Sequence, residues 1–276
     1  MAVYKFTQVD VFSGGPGYGN GLAVVHGAEG LSSAEMQDFA AWTNLSETVF
    51  LLPPTVAGAD YQARIFTIGS ELPFAGHPTL GAAFAWLRAG AVPKTGQIVQ
   101  QCAAGLVRIK RDGQRLAFAA PAFEQSEVAE TLLAQICAAT GLSRGQIKAA
   151  KQLSPLNPAW IGLLLGSRAE VLTVKPDLAK LGTVQLGLIG PWASGDADFE
   201  VRAFAADVSG GEDPVTGSLN AGLSRWLIPA GLAPAAYIAA QGTALGRSGR
   251  VYVVYDGLDV WIGGESRALI EGTLTL

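Results

Sequence analysis

Charge is scarce in this chain of 276 residues: 15% are Asp, Glu, Lys or Arg, the formal net charge is −4, and the basic residues are scattered. With no basic stripe there is nothing to track a phosphate backbone, so nucleic acid is excluded as a partner. Histidine and cysteine are equally sparse. His26, His77, Cys102 and Cys137 show no Cys-x-x-Cys or His-x-x-x-His spacing, so a tetrahedral zinc site lacks its ligands and no metal cofactor is expected. Two well-separated cysteines in a chain with ample core read as buried free thiols. Long apolar runs are missing too: Ala159 to Gly166 is among the longest, far short of the ~20 residues that span a bilayer. Met1 to Asp10 lacks the basic start and apolar stretch of a signal peptide. A cytoplasmic protein with no membrane partner is therefore expected. The glycine-rich Gly14–Gly15–Pro16–Gly17–Tyr18–Gly19–Asn20–Gly21 has neither the Lys-Ser/Thr ending of a P-loop nor Gly-x-Gly-x-x-Gly spacing, and reads as a flexible turn. No Gly-x-Ser-x-Gly elbow is present either.

What the chain does have is apolar residues, at 49%. That rules out disorder and suggests apolar surface covered by a second chain. The length fits one large domain or two modest ones. Val3–Phe12, Leu22–His26, Thr48–Leu52, Tyr61–Thr67, Leu106–Lys110 and Arg115–Ala119 carry strand patterns. A first helix is predicted from a capping box, Ser32 with Glu35, and a staple, Leu31 with Met36, running to about Trp42. The stretch Ala119–Ala120–Pro121–Ala122 ends a strand before a helix predicted over Glu127 to Thr140, and is the best linker. Domains are thus expected at 1–118 and 123–267. The second repeats the mixture: strands at Trp160–Leu165, Glu170–Val174, Val184–Gly190, Phe199–Ala205, Arg250–Tyr255, Leu258–Ile262 and Ala268–Leu276, between helices.

One loop in each half stands out. Gly76–His77–Pro78–Thr79 and Asp213–Pro214–Val215–Thr216–Gly217–Ser218 are Gly/Pro-punctuated connections that follow a strand and open a helix. A helix start presents unpaired N–H groups and the positive end of the dipole, so it binds carboxylate or phosphate without a basic side chain. Each loop alone is also what any strand-to-helix connection uses. Beside the proline, however, each carries a titratable residue: His77, able to act as acid or base near neutral pH, and Asp213, able to hold a charged partner. Glu47 opens an apolar strand, where burial would raise its pKa toward proton-transfer use; a solvated strand end is the plain alternative.

Three strings together resemble a known family. Glu71–Leu72–Pro73–Phe74–Ala75–Gly76–His77–Pro78–Thr79–Leu80–Gly81, Asn44–Leu45–Ser46–Glu47–Thr48 and Glu212–Asp213–Pro214–Val215–Thr216–Gly217–Ser218 are similar, in order and spacing, to the signatures of the phenazine-biosynthesis (PhzF-like) isomerases. Asp10–Val11–Phe12, Gly19–Asn20 and Ala23–Val24–Val25 extend the likeness over nearly the whole chain. The resemblance implies an α+β fold of the diaminopimelate-epimerase-like type, with two similar domains, each a curved mixed sheet around a central helix, and the active site in the interdomain cleft. In that fold the last strand commonly returns to the first domain, which would place 268–276 with 1–118.

The resemblance also implies roles. Glu47 would be the base that moves a proton between carbons of a cyclic dihydro-hydroxyanthranilate, His77 and Asp213 would complete the catalytic set, and Gly76, Gly217, Ser218 and Asn20 would bind a small anionic metabolite. No cofactor is implied, and a homodimer is expected. In the epimerases of this fold two loop cysteines form the acid–base pair; Cys102 and Cys137 lie outside both loops, which disfavours a two-thiol racemase. Gly21 stands where the family commonly has Pro, and Ile68–Gly69 replaces a Pro-containing stretch, so a different substrate is open. A non-catalytic binding or scaffold protein on the same fold, and an amino-acid epimerase, are the alternatives.

Overall fold

The computed structural model describes residues 2–122, 124–154, 159–206 and 208–276. Alternation at the N-terminus becomes β1 (Val3–Val11), which pairs antiparallel with β2 (Asn20–His26). Ser32 caps α1 (Ser33–Thr43) through the full capping box with Glu35, and Leu31 and Met36 are both buried. The strands β3 (Glu47–Leu52), β4 (Tyr61–Phe66) and the two-residue β5 (Glu71–Leu72) follow. Next come α2 (Gly76–Arg88), β6 (Ile98–Cys102), β7 (Gly105–Asp112) and β8 (Arg115–Ala119).

The rest of the chain runs through β9 (Glu124–Ser126), α3 (Glu130–Thr140), β10 (Ala149–Ser154), β11 (Trp160–Leu164), α4 (Arg168–Thr173), α5 (Leu178–Leu181) and β12 (Gln185–Pro191). Then come β13 (Phe199–Phe204), β14 (Glu212–Asp213), α6 (Gly217–Leu227), β15 (Ala236–Gln241), β16 (Gly249–Tyr255), β17 (Val260–Gly264) and β18 (Ser266–Thr275).

Two predicted elements change. Of the strand predicted over Glu170–Val174, residues 170–173 are helical and Val174 is the extended residue after the helix: the Ser167 side chain accepts from the Glu170 N–H, and that cap outweighs the β preference of Val171 and Thr173. The helix expected from Glu127 starts at Glu130, because residues 124–126 pair with β10 instead. The strands β6, β10 and β15 carry no pattern strong enough to be assigned from sequence.

Met1–Ala119 with Ile262–Leu276 forms one compact unit and Ala120–Trp261 the other. The returning segment thus begins at Ile262, ahead of the expected Ala268, and β18 lies antiparallel on β1 with a bulge at Gln8/Val9. Phe123, the expected first residue of the second domain, lies outside the described residues.

Inside the first unit the pairings run β1–β2 antiparallel, β2–β3 parallel, β3–β4 antiparallel, β4–β6 parallel and β6–β7 antiparallel. The second unit repeats them as β10–β11, β11–β12, β12–β13, β13–β15 and β15–β16, with the same senses. Side chains repeat as well. Arg64 on β4 chelates Glu71 on β5 and lies over Phe66, and Arg202 on β13 chelates Glu212 on β14 and lies over Phe204.

Each unit is built around one helix. In α2 the residues Leu80, Ala82, Ala83 and Ala85 are all buried, as for a helix apolar on every side. A Cβ on Gly81 would stand 2.4 Å from Leu22 and 2.9 Å from Val11, so glycine lets α2 close on β1 and β2. Gly187 does the same for α6, where a Cβ would stand 2.3 Å from Leu219. Among the described residues no helix is long and apolar enough to cross a membrane.

Candidate active site

The first unit assembles three polar side chains at strand and helix starts. Parallel pairing of β2 with β3 sets Leu22 beside Glu47, so Asn20 and Glu47 both open their strands at one edge. The start of α2 brings in His77: Nε2 lies 3.5 Å from Glu47 Oε2, and Nδ1 lies 3.4 Å from the Asn20 amide nitrogen. The His77 side chain is 3% exposed and the Glu47 side chain 15%, and the two facing atoms, His77 Nε2 and Glu47 Oε2, are both shielded from solvent.

Burial drives the His77 pKa down to about 3, against a weaker upward pull from a hydrogen bond to the Gly21 backbone. Burial therefore opposes the expected titration near neutral pH and favours a neutral imidazole beside Glu47.

The glycine-rich stretch is not a slack turn. Asp10 accepts from the Gly17 N–H at 2.7 Å, the Gly19 N–H at 2.9 Å and the Ser13 hydroxyl at 2.6 Å. A Cβ on Gly19 would sit 2.2 Å from the Val11 carbonyl oxygen, so only glycine fits there. The loop thereby delivers Asn20 to the start of β2.

In the second unit Asp213 closes β14 and Thr216 is the residue before α6. The Thr216 hydroxyl donates to Asp213 Oδ2 at 2.6 Å. Gln241, at the end of β15 and fully buried, uses its whole amide on this loop. Its Nε2 donates to the Asp213 carbonyl at 3.1 Å and to Thr216 Oγ1 at 2.9 Å; its Oε1 accepts from the Thr216 N–H and the Asn220 amide, both at 3.0 Å.

The first intrahelical bond runs from the Asn220 N–H to the Thr216 carbonyl. Gly217, Ser218 and Leu219 thus keep N–H groups without intrahelical acceptors. At α2 the first such bond is from Thr79 to Ala75, and Pro78 has no N–H, so Gly76 and His77 are the matching donors. Two glycine-led helix starts suit an anionic ligand. Among the described residues no group of three or more His, Cys, Asp or Glu is placed to hold a metal ion.

The expected residues therefore fall into two sets, Asn20, Glu47, Gly76 and His77 in the first unit, and Asp213, Gly217 and Ser218 in the second. Their equivalence is shifted from the one the loops suggest. His77 lies in the first turn of α2, whereas Asp213 precedes α6 by four residues, so Leu72 matches Asp213 and His77 matches Ser218. Asp10, Asn220, Gln241 and Trp160, whose indole N–H donates to Ser218 Oγ at 3.2 Å, are new. Asp10 stands in one of the strings that carry the family likeness, and Gln241 is a polar residue at the end of an apolar run; Asn220 and Trp160 have no comparable sequence signal. Cys102 ends β6 and Cys137 lies in α3, so neither belongs to the loop that opens α2 or α6.

Two units that repeat one strand order, each curved around a helix with a glycine at its start, define the diaminopimelate-epimerase-like class. Residues 9–273 match the family model described as phenazine biosynthesis-like protein (PhzC-PhzF), and the chain belongs to that family. It is 34% identical to antisense-enhancing sequence 1 of Schizosaccharomyces pombe, over 99% of each chain. It is 30% identical to the trans-2,3-dihydro-3-hydroxyanthranilate isomerase of Pseudomonas aeruginosa, over 98% of this chain and 99% of that one. The crystal structure of a PhzF-family phenazine biosynthesis protein of Bacillus anthracis superposes with a TM-score of 0.84 at 22% identity, covering all of both chains. The protein is an isomerase of this family.

Proposed function

We propose that the protein transfers a proton between carbons of a small carboxylate-bearing metabolite, of the cyclic dihydro-hydroxyanthranilate kind, with Glu47 as the proton carrier. The observation that supports this best is the Glu47 carboxylate itself: its Oε2 is shielded from solvent and lies 3.5 Å from Nε2 of a buried, neutral His77. A carboxylate so held needs a positioned carbon acid and little else; positioned acid–base transfer is worth ~10²–10⁴-fold. His77 and Asn20 orient it. Gly76, Gly217 and Ser218 donate to substrate oxygens through helix-start N–H groups. Asp213, tied to Thr216, sets the shape of the second loop and offers a substrate contact.

The test is deuterium uptake. Incubated in heavy water with trans-2,3-dihydro-3-hydroxyanthranilate, the wild-type protein is expected to place solvent deuterium on a ring carbon, and Glu47→Gln to slow this by ~10²-fold or more. Equal rates in the two would remove Glu47 as the base.

A further inference from the structure

The Thr216 carbonyl accepts twice from one residue. The Asn220 N–H reaches it at 3.1 Å and the Asn220 side-chain amide at 2.9 Å. Backbone groups set the sense of these bonds. Gln241 Oε1 accepts from the Thr216 N–H and its Nε2 donates to the Asp213 carbonyl, so that amide has one orientation. The Asn220 side-chain nitrogen, 3.0 Å from that Oε1 and 2.9 Å from the carbonyl, faces two pure acceptors and uses both its protons on them. Asn220 Oδ1 is left buried with no donor among the described residues, a cost that an apolar side chain would avoid. Stability alone does not account for an asparagine here.

The same arrangement opens α2, built from different side chains. The Ala75 carbonyl accepts from the Thr79 N–H at 3.2 Å and from the Thr79 hydroxyl at 2.8 Å. That hydroxyl in turn accepts from Gln100 Nε2 at 2.9 Å, and Thr79 and Gln100 are both fully buried. Thr79 and Asn220 are each the fourth residue of their helix. A side chain that bonds the carbonyl four residues back is common inside helices. Here, however, that carbonyl shares its peptide group with an N–H at the helix start, that of Gly76 in α2 and of Gly217 in α6.

We infer that Asn220 and Thr79 are positioning residues: as a second donor to the carbonyl, each holds and polarises the peptide group whose N–H, of Gly217 or of Gly76, meets a substrate carboxylate. The inference rests on the proposed binding of a carboxylate at these glycines. Drawing electron density toward the carbonyl oxygen leaves the amide proton more positive, and hydrogen bonds in such a chain strengthen one another by about 10–30% per bond. The gain is largest toward a charged acceptor. Neither side chain acts on the ligand directly.

Anthranilate, and aniline as the same ring and amine without the carboxylate, serve as probes, with binding to the full-length protein followed by calorimetry. Asn220→Thr and Asn220→Val share one shape and differ in the hydroxyl, which in Asn220→Thr can reach the Thr216 carbonyl as that of Thr79 reaches Ala75. Neither variant leaves Gln241 Oε1 unpaired, since the Thr216 N–H remains. Asn220→Thr is expected to bind anthranilate like the wild type and Asn220→Val about threefold more weakly, the effect of a ~30% change in a charge-assisted hydrogen bond. Aniline should bind equally to both. Equal anthranilate affinities in the two variants overturn the inference, because a residue that only fills space is served by either. A wild type that binds anthranilate no better than aniline overturns the carboxylate reading and the inference with it. If the Asn220 variants do not fold, Thr79→Val is compared with the wild type, where the hydroxyl is again the sole difference. The ratio of anthranilate to aniline affinity must then fall about threefold, and an unchanged ratio overturns the inference.

Discussion

His77 lies 3.5 Å from Glu47 with almost no water contact, and its burial keeps it neutral down to about pH 3. A histidine near its ordinary pKa of ~6.5 would write its own limb into the pH profile. This one should not. The rate of deuterium uptake is expected to show no limb near pH 6.5 that belongs to His77. His77→Gln should reduce the rate roughly 10- to 100-fold, through loss of orientation of Glu47, without moving the limbs that remain. A limb near 6.5 that vanishes in His77→Gln would restore the histidine as an acid or base. Identity and neighbourhood thus part company: the residue was readable as a candidate for the site, but its protonation state depends on how many side chains exclude water around it.

At the scale of elements, the loop before α6 owes its shape to Gln241, which lies on a strand that sequence patterning leaves unassigned. Replacing Gln241 with Leu removes four hydrogen bonds and leaves the Thr216 N–H and the Asn220 amide short of a buried partner. Each such orphan costs about 1–3 kcal/mol. We expect Gln241→Leu to lower the melting temperature by several degrees and to weaken anthranilate binding, measured by thermal unfolding and calorimetry on one preparation. A melting temperature within about 1 °C of wild type would mean that the network contributes little. Local signals served well where a helix start carries its own chemistry, as at Ser32 and Glu35. They failed at Glu170–Val174, where residue preferences for strand yielded to the Ser167 cap. They failed as well at β6 and β15, which are stabilised by parallel partners far away in the chain.

For the molecule as a whole, one buried and one half-buried histidine tie stability to pH. His26, with its pKa lowered to about 4 by burial and by nearby Lys5, and His77, lowered to about 3, are both neutral in the folded protein at pH 5.5. In the unfolded chain each has a pKa near ~6.5, so unfolding takes up protons there. Their contribution is fully present above pH ~6.5 and is lost as pH falls toward the folded values, at no more than ~1.4 kcal/mol per pH unit for each histidine. Urea midpoints should drop between pH 7.5 and 5.5, and the drop should shrink in His26→Gln. The same drop in that variant would show that His26 is not protected from protonation in the folded state.

Gly76, His77, Asp213, Gly217 and Ser218 could be singled out from the sequence because their chemistry is local: glycine and proline punctuate a chain wherever they stand, and a helix start is a feature of a few consecutive residues; Glu47 stood out mainly through the family resemblance. The two-unit α+β architecture was readable from the same strings. Tertiary structure alone decided the rest. It set the pairing of Leu72 with Asp213 and of His77 with Ser218, the return of the chain at Ile262, and the neutrality of His77. It also set the buried partners Trp160 and Gln241, which lie 58 and 25 residues in sequence from Ser218 and Thr216. The physical reason is common to all of them. Hydrogen-bond polarity, desolvation and parallel strand pairing are properties of neighbours in space, and no spacing along the chain encodes them.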